Sequence, residues 1–300
     1  MRSPLVRRGL TTVVVVVLLL GATVRAWQPV CAQIVGPTGN GSDHSTDSTL
    51  FLAERRAGDV DVHEEMGTPT DADPRDDLLL RRRQYAVSYN PVTHNPNWVS
   101  YNLSAYWYGD VPRHKGMFQP DPLLPADGFR TTHKDYTNSG FDRGHMCRSE
   151  ERTRTDEDNL TTFYMTNVIP QRHGLNAGPW LKLEDYCMEL CKDRNKELFV
   201  ITGPVYEGPA SMIGRDIRVP SACFKVVVVL PKGHDRQSVT SQSRVIAVIM
   251  PNTDEVSRDS WQPYLCTVRD VERRTGYDLL SALPDSLQKV LETRIDSGSR

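Results

Sequence analysis

Three apolar runs constrain this chain most: residues 198–203, 224–230 and 245–250. Each is short, rich in β-branched residues and apolar at consecutive rather than alternate positions. That pattern belongs to strands buried on both faces. Lys232-Gly233-His234-Asp235 supplies a turn between the second and third runs. The three runs predict neighbouring central strands of one sheet. Upstream, residues 85–90 and 98–103 alternate apolar and polar, with Asn90-Pro91 and Asn95-Pro96 between them, so a hairpin is predicted. Tyr106, Trp107 and Tyr108 extend it as core aromatics or, less simply, as a base-stacking surface. Pro179 suits the first turn of a helix running to Lys192, with Leu183, Tyr186, Cys187 and Leu190 on one face. Shorter helices are predicted over 156–163, over 268–276 with Gly276 as the stop, and over 287–295. A short strand is predicted over 164–170. The fold class is α+β, a mixed or antiparallel central sheet flanked by helices.

Composition sets the outer limits. The chain has 300 residues, 38% of them hydrophobic, a formal net charge of -2 and a pI of about 6.5. It is not a generally basic nucleic-acid binder, and any attraction to phosphate must come from a local patch. Residues 1–32 read as a signal peptide, with Arg2, Arg7 and Arg8 before an aliphatic block and two small-residue cleavage candidates. The block is short for a spanning helix. A secreted or periplasmic location follows, with an uncleaved membrane anchor or a mitochondrial presequence as alternatives. Residues 33–77, rich in Gly, Ser, Thr, Asp and Pro, read as a disordered linker or propeptide. Residues 78–300 read as the packed domain. Cys31, Cys147, Cys187, Cys191, Cys223 and Cys266 permit disulfides in an exported chain, and no metal-binding spacing accompanies them. Sequons at Asn40, Asn102 and Asn159 are taken as chance occurrences.

The densest chemistry lies in Asp142-Arg143-Gly144-His145. An acid, a permanent cation, a glycine and an imidazole in four consecutive positions are hard to explain as core packing. Arg143 has the planar fork that grips phosphate. His145 titrates near neutrality and suits a general base. The basic triplet Arg113-His114-Lys115 lies upstream.

With these residues in view, the chain resembles the DNA/RNA non-specific endonucleases of the ββα-metal superfamily. The likeness spans roughly residues 78–291 and rests on an ordered set: Asn97-Trp98-Val99-Ser100-Tyr101, Asp142-Arg143-Gly144-His145-Met146, Thr166-Asn167-Val168-Ile169-Pro170-Gln171, Asn176-Ala177-Gly178-Pro179-Trp180 and Leu183-Glu184. The resemblance implies a ββα-metal active-site motif in which His145 is the general base and Asn176 the protein ligand of a divalent metal. It implies that Glu184 holds a metal-bound water, that Arg143 and Arg113 contact phosphate, and that Asp142 supports the motif. His114 and Lys115 are alternatives for the place of Arg113. The implied cofactor is Mg²⁺, with Mn²⁺ or another divalent cation as alternatives. DNA and RNA are the implied substrates, gripped through phosphate and cleaved to 5′-phosphate products. Where many members carry a proline and a small Ser-Ala-Asp run after the motif, this chain has Cys147-Arg148-Ser149-Glu150-Glu151-Arg152, which puts that loop's shape in doubt.

Taken one by one, the residues have plainer readings. Asn176 caps the following helix, Glu184 is an exposed helix acid, and Asp142 and Arg143 form a structural ion pair. At the level of the protein the alternatives are a catalytically inactive nucleic-acid-binding relative, a metal-dependent phosphodiesterase of small nucleotides, and a secreted adhesion domain.

Overall fold

The computed structural model describes residues 60–298. The expected signal peptide over residues 1–32 and residues 33–59 of the expected linker lie outside the described residues. No described helix is long and apolar enough to cross a membrane.

The strands, in chain order, are β1 (Leu78–Arg81), β2 (Ala86–Asn90), β3 (Asn95–Leu103), β4 (Asp142–His145), β5 (Val168–Gln171), β6 (Lys196–Val205), β7 (Ser211–Ile213), β8 (Ile217–Val219), β9 (Ala222–Pro231) and β10 (Arg244–Pro251). Six of them form one sheet in the order β1-β2-β3-β6-β9-β10, with every neighbouring pair antiparallel. The three apolar runs are β6, β9 and β10, side by side as expected. The predicted hairpin is β2–β3, with Val87 opposite Val99. β4–β5 and β7–β8 are separate two-stranded ribbons.

The doubly apolar strands require cover on both faces. Strand alternation sends Leu198, Val200, Val227, Val229, Ile246 and Val248 to one face, where they pack with Met146, Ile169 and Trp180. Phe199, Ile201, Val226, Val228, Val245 and Ala247 pack on the other face with Val268, Val271 and Leu280. The helices are α1 (Asp156–Thr161), the single turn α2 (His173–Asn176), α3 (Pro179–Lys192), α4 (Val268–Thr275) and α5 (Asp285–Leu291). α3 turns Trp180, Leu183, Cys187 and Leu190 inward onto the first face. α4 stops at Gly276 as read from the sequence.

Several expectations change. Packing extends upstream of residue 78, to the first of the described residues, 60–66. Val62 and Met66 plug the second face, and the buried His63 ring accepts the Asn102 N–H at Nδ1 and bonds the Arg83 carbonyl through Nε2 at 2.7 Å. A polar composition concealed these few anchors. The strand expected over 164–170 starts with a 3₁₀ turn, Met165–Asn167, and only then becomes β5. Trp107 is fully buried in a 3₁₀ turn, so it is core and not a stacking surface for bases. Asn102 and Asn159 are buried and hydrogen-bonded, so neither sequon offers a glycosylation site.

Among the described residues the five cysteines are free thiols, which corrects the disulfide expectation for them. Cys147, Cys187, Cys191 and Cys223 are buried in the apolar core and Cys266 is half-buried at its edge; burial pushes Cys147, Cys187 and Cys223 up to about 12. They behave as small apolar side chains.

Leu183 joins α3 to the sheet and is fully buried. Leu183→Ala is expected to lower unfolding stability by ~2–5 kcal/mol, as large-to-small core changes do. A urea titration followed by far-UV circular dichroism checks this; a loss under ~1 kcal/mol would mean that α3 is docked by other contacts.

Candidate active site

In the β4–β5 ribbon Asp142 stands opposite Gln171 and His145 opposite Val168. Alternation places Arg143 and His145 on one side, and Asp142 and Gly144 on the other. Glycine is required at 144 because the Gln171 side chain fills the space: a Cβ there would meet Gln171 Oε1 at 2.0 Å. Asn167 locks the chain leaving the ribbon. The Cys147 N–H donates to its Oδ1 at 2.8 Å, and its Nδ2 donates to the Cys147 and Thr162 carbonyls. Arg152, also buried, donates to the carbonyls of Gln84, Asn102 and Glu151. These bonds, not a proline, shape the turn at 148–152.

His145 is 9% exposed. Its ring sits 5.1 Å from the Phe118 ring and 5.1 Å from the Phe163 ring. Its buried Nε2 has no hydrogen-bond partner among the described residues. Burial first, then the Arg113 guanidinium, push its pKa from 6.5 down to about 3; Glu150 opposes this and Arg148 adds to it. The imidazole is therefore neutral through the physiological range, as a base must be.

Arg113 crosses the other side of Phe163, its guanidinium carbon 5.0 Å from that ring centre, and donates to Glu150 Oε1 at 3.0 Å and to Ser149 Oγ. Arg143 lies against Phe118 and Tyr136, donates to the His133 carbonyl at 2.7 Å, and with Asp142 and His133 lines a hollow of about 400 Å³. Phe118 and Phe163 thus space the two arginines around the imidazole. The His114 side chain packs edge-on against Phe163.

Asn176 ends α2. That turn is seated where Gly174 touches the backbone of Asp254, closely enough that a Cβ would lie 2.4 Å from the Asp254 Cα. Asn176 Nδ2 donates to Asp142 Oδ2 at 3.0 Å, and His173 Nδ1 approaches the same oxygen at 2.8 Å. Asp142 is committed to these two groups, which tie β4 to α2, and it forms no ion pair with Arg143. Nor does Asn176 cap α3, whose N-cap is Gly178.

Glu184 is buried on the inner side of α3, not exposed on it. Its Oε1 accepts from Lys225 Nζ at 3.2 Å, and Arg148 Nε lies 3.8 Å from Oε2. Lys225, 1% exposed, comes from the middle of β9 and sits 4.5 Å over the Trp180 ring. Burial raises the Glu184 carboxyl pKa, Lys225 and Arg148 oppose the rise, and Glu151 adds to it. Arg148 also bonds Glu150 at 3.1 Å and Asp185 at 2.7 Å.

The structure therefore gathers His145, Arg113 and Arg143 about two phenylalanines. It joins Asp142 to Asn176, and it links Glu184 to Arg113 through Arg148 and Glu150. Sequence reasoning missed Arg148, Glu150, Lys225, Phe118 and Phe163. Two signals were present: the charges at 148–150, and Lys225 as the one charge inside an otherwise apolar run.

The chain belongs to the DNA/RNA non-specific endonuclease family, whose model matches residues 63–286. It is 40% identical over 243 residues to a nuclease of Nostoc sp., a match covering 79% of this chain and 87% of that protein. It is 33% identical to the mitochondrial nuclease EXOG of Xenopus laevis over 65% of this chain, and it spans 56% of that relative's length. A chain in the crystal structure of the EndoG/EndoGI complex superposes with a TM-score of 0.67 at 25% identity, covering 78% of this chain and 95% of the other. The expected fold class and enzyme class both hold, and the central sheet is wholly antiparallel.

Removing Lys225 leaves Glu184 with a single, more distant cation. Lys225→Met is expected to cost ~3–5 kcal/mol at pH 8, as breaking a buried pair does. Without Lys225 the carboxyl rises further above its ordinary 4.5. The folded variant then keeps its proton at pH values where the parent's Glu184 has already ionised, so the deficit grows as pH rises past the parent's own raised carboxyl pKa. Urea unfolding at pH 5.5 and pH 8 measures this; an equal deficit at both values would contradict it.

Proposed function

We propose that this protein is an exported, metal-dependent endonuclease that hydrolyses phosphodiester bonds of DNA and RNA with little sequence preference and leaves 5′ phosphates. The observation that carries the reading is the His145 imidazole: buried, neutral, unpartnered at Nε2 among the described residues, and flanked by guanidinium groups. A general base needs a free lone pair at working pH, and phosphate needs cations beside it. Both requirements coincide at this ring.

The neutral His145 imidazole takes the proton from the attacking water. The Arg113 and Arg143 guanidinium groups stabilise negative charge on the phosphoryl oxygens. Phe118 and Phe163 exclude bulk water from the ring, which keeps it unprotonated and strengthens every charge contact around it. Asn176 fits a hard divalent cation such as Mg²⁺: because its Nδ2 donates to Asp142, its Oδ1 is the oxygen left to act as a ligand. Asp142 orients that amide, the kind of support that ligating side chains receive. When bound, the ion would polarise the phosphate and neutralise charge on the leaving oxygen. Glu184 would hold a metal-bound water, with Lys225 and Arg148 fixing its carboxylate. The groups placed for substrate are cations and an imidazole that see phosphate rather than base edges, which supports cleavage without sequence preference.

The full chain is expected to degrade plasmid DNA and RNA with Mg²⁺ and neither with EDTA, and His145→Ala should lose ~10²–10⁴-fold in rate. Equal cleavage by the variant would remove His145 from the base role. Binding without cleavage by the parent would favour an inactive relative, and cleavage confined to small nucleotide esters would favour a phosphodiesterase.

Since His145 is held down to about 3, its ring resonances in an NMR titration of the full chain should stay at the neutral position from about pH 8 to about pH 5, instead of moving near the ordinary imidazole value. A ring titration centred near 6.5 would contradict the burial that holds it neutral.

A further inference from the structure

Arg113 and Arg148 come from separate segments and close on one carboxylate. Arg113 Nη1 meets Glu150 Oε1 at 3.0 Å, and Arg148 Nε meets Glu150 Oε2 at 3.1 Å. Each oxygen of the acid is held by a different guanidinium, the arrangement that the two non-bridging oxygens of a phosphodiester would need. Ser149 Oγ adds a hydrogen bond to Oε2 at 2.9 Å. All three charged groups act on the His145 ring, so the trio lies within electrostatic reach of the base. The Glu150 and Arg113 side chains remain 38% and 49% exposed, so water and substrate reach the pair. Arg148 is anchored from behind by Asp185 at 2.7 Å and keeps its place without Glu150.

We infer that Arg148 is a further phosphate-binding residue, and that Glu150 is an internal stand-in for the substrate, closed on Arg113 and Arg148 at rest and displaced by a polynucleotide phosphodiester. The exchange replaces one monoanion by another, so the charge beside His145 is conserved while Glu150 swings into solvent. The Arg113–Glu150 contact is an exposed ion pair, weak enough to be exchanged in this way, while the Arg148 side chain is only 14% exposed and forms the inner wall of the clamp. The Glu150 carboxyl is held down to about 2, mainly by Arg113 against the effect of burial, so it competes as an anion at every working pH. The inference rests on the nuclease reading of the same site.

The test is equilibrium binding of labelled duplex DNA to the full chain in EDTA, between 50 and 200 mM salt, with Mg²⁺-dependent cleavage by the parent measured alongside. Glu150→Gln should bind roughly ten-fold tighter at low salt, an advantage that shrinks as salt rises. Arg148→Gln should bind about ten-fold weaker, with a log K against log[salt] slope shallower by about 0.9, one phosphate contact on duplex DNA. Arg148→Lys, which keeps the charge, should retain the parent slope and guards against a misfolded glutamine variant. A merely structural Arg148 would change thermal stability without moving the salt slope. If the parent cleaves DNA but Glu150→Gln binds no tighter, or Arg148→Gln keeps the parent slope, the exchange is wrong and the nuclease reading survives. If the parent neither binds nor cleaves polynucleotides, both fall.

Discussion

A lysine in the middle of the most apolar strand organises one whole face of this protein. Lys225 shares the parity of Val227 and Val229, so strand alternation drives its ammonium into the core beneath α3. A buried cation of this kind is tolerable only if it is paired and packed. Glu184 supplies the countercharge and the Trp180 ring the packing. Those two residues set the position of α3 over the sheet, and the turn bearing Asn176 runs directly into that helix. Buried pairs contribute little net stability, because desolvation consumes the attraction. The contribution here is geometric: one helix position satisfies the charge, and that position fixes the turn that bears Asn176.

The other half hangs on the β4–β5 ribbon, where packing and chemistry are equally local. Gly144 admits the Gln171 side chain, which closes the ribbon and leaves Arg143 and His145 together on the opposite side. Phe118 and Phe163 then pack around the imidazole, burial lowers its pKa, and the Arg113 and Arg148 guanidinium groups lower it further. The same walls that keep the imidazole neutral pack against the arginines beside it. Asp142 joins the two halves, taking Asn176 and His173 on one carboxylate oxygen.

Charges on both sides of the motif form a continuous chain: Arg113, Glu150, Arg148, Glu184, Lys225. Signs alternate along it, from an exposed end near the base to a fully buried end under α3. The exposed members are screened and exchangeable, whereas the buried members are fixed by the cost of leaving either one unpaired. Solvent access thus divides one network into a mobile part suited to contacting substrate and a rigid part suited to holding geometry.

Local pattern determined a great deal. The consecutive apolar positions of β6, β9 and β10 demanded a sheet covered on both faces, the alternation of β2 and β3 demanded a hairpin, and the spacing of Leu183, Cys187 and Leu190 demanded that α3 lie on that sheet. These are properties of near neighbours in the chain, and they survive in the sequence. The motif at 142–145 was legible for the same reason: its chemistry is contiguous. Tertiary structure alone decided which partner each charge took, because the partners are distant. Glu184 finds Lys225 across 41 residues, Arg113 finds Glu150 across 37, and Asn176 finds Asp142 across 34. It also decided that Val60–Glu64 packs, through His63 bonding backbone 20 and 39 residues away. No periodicity records such pairings; the folded backbone creates them when it removes both partners from water.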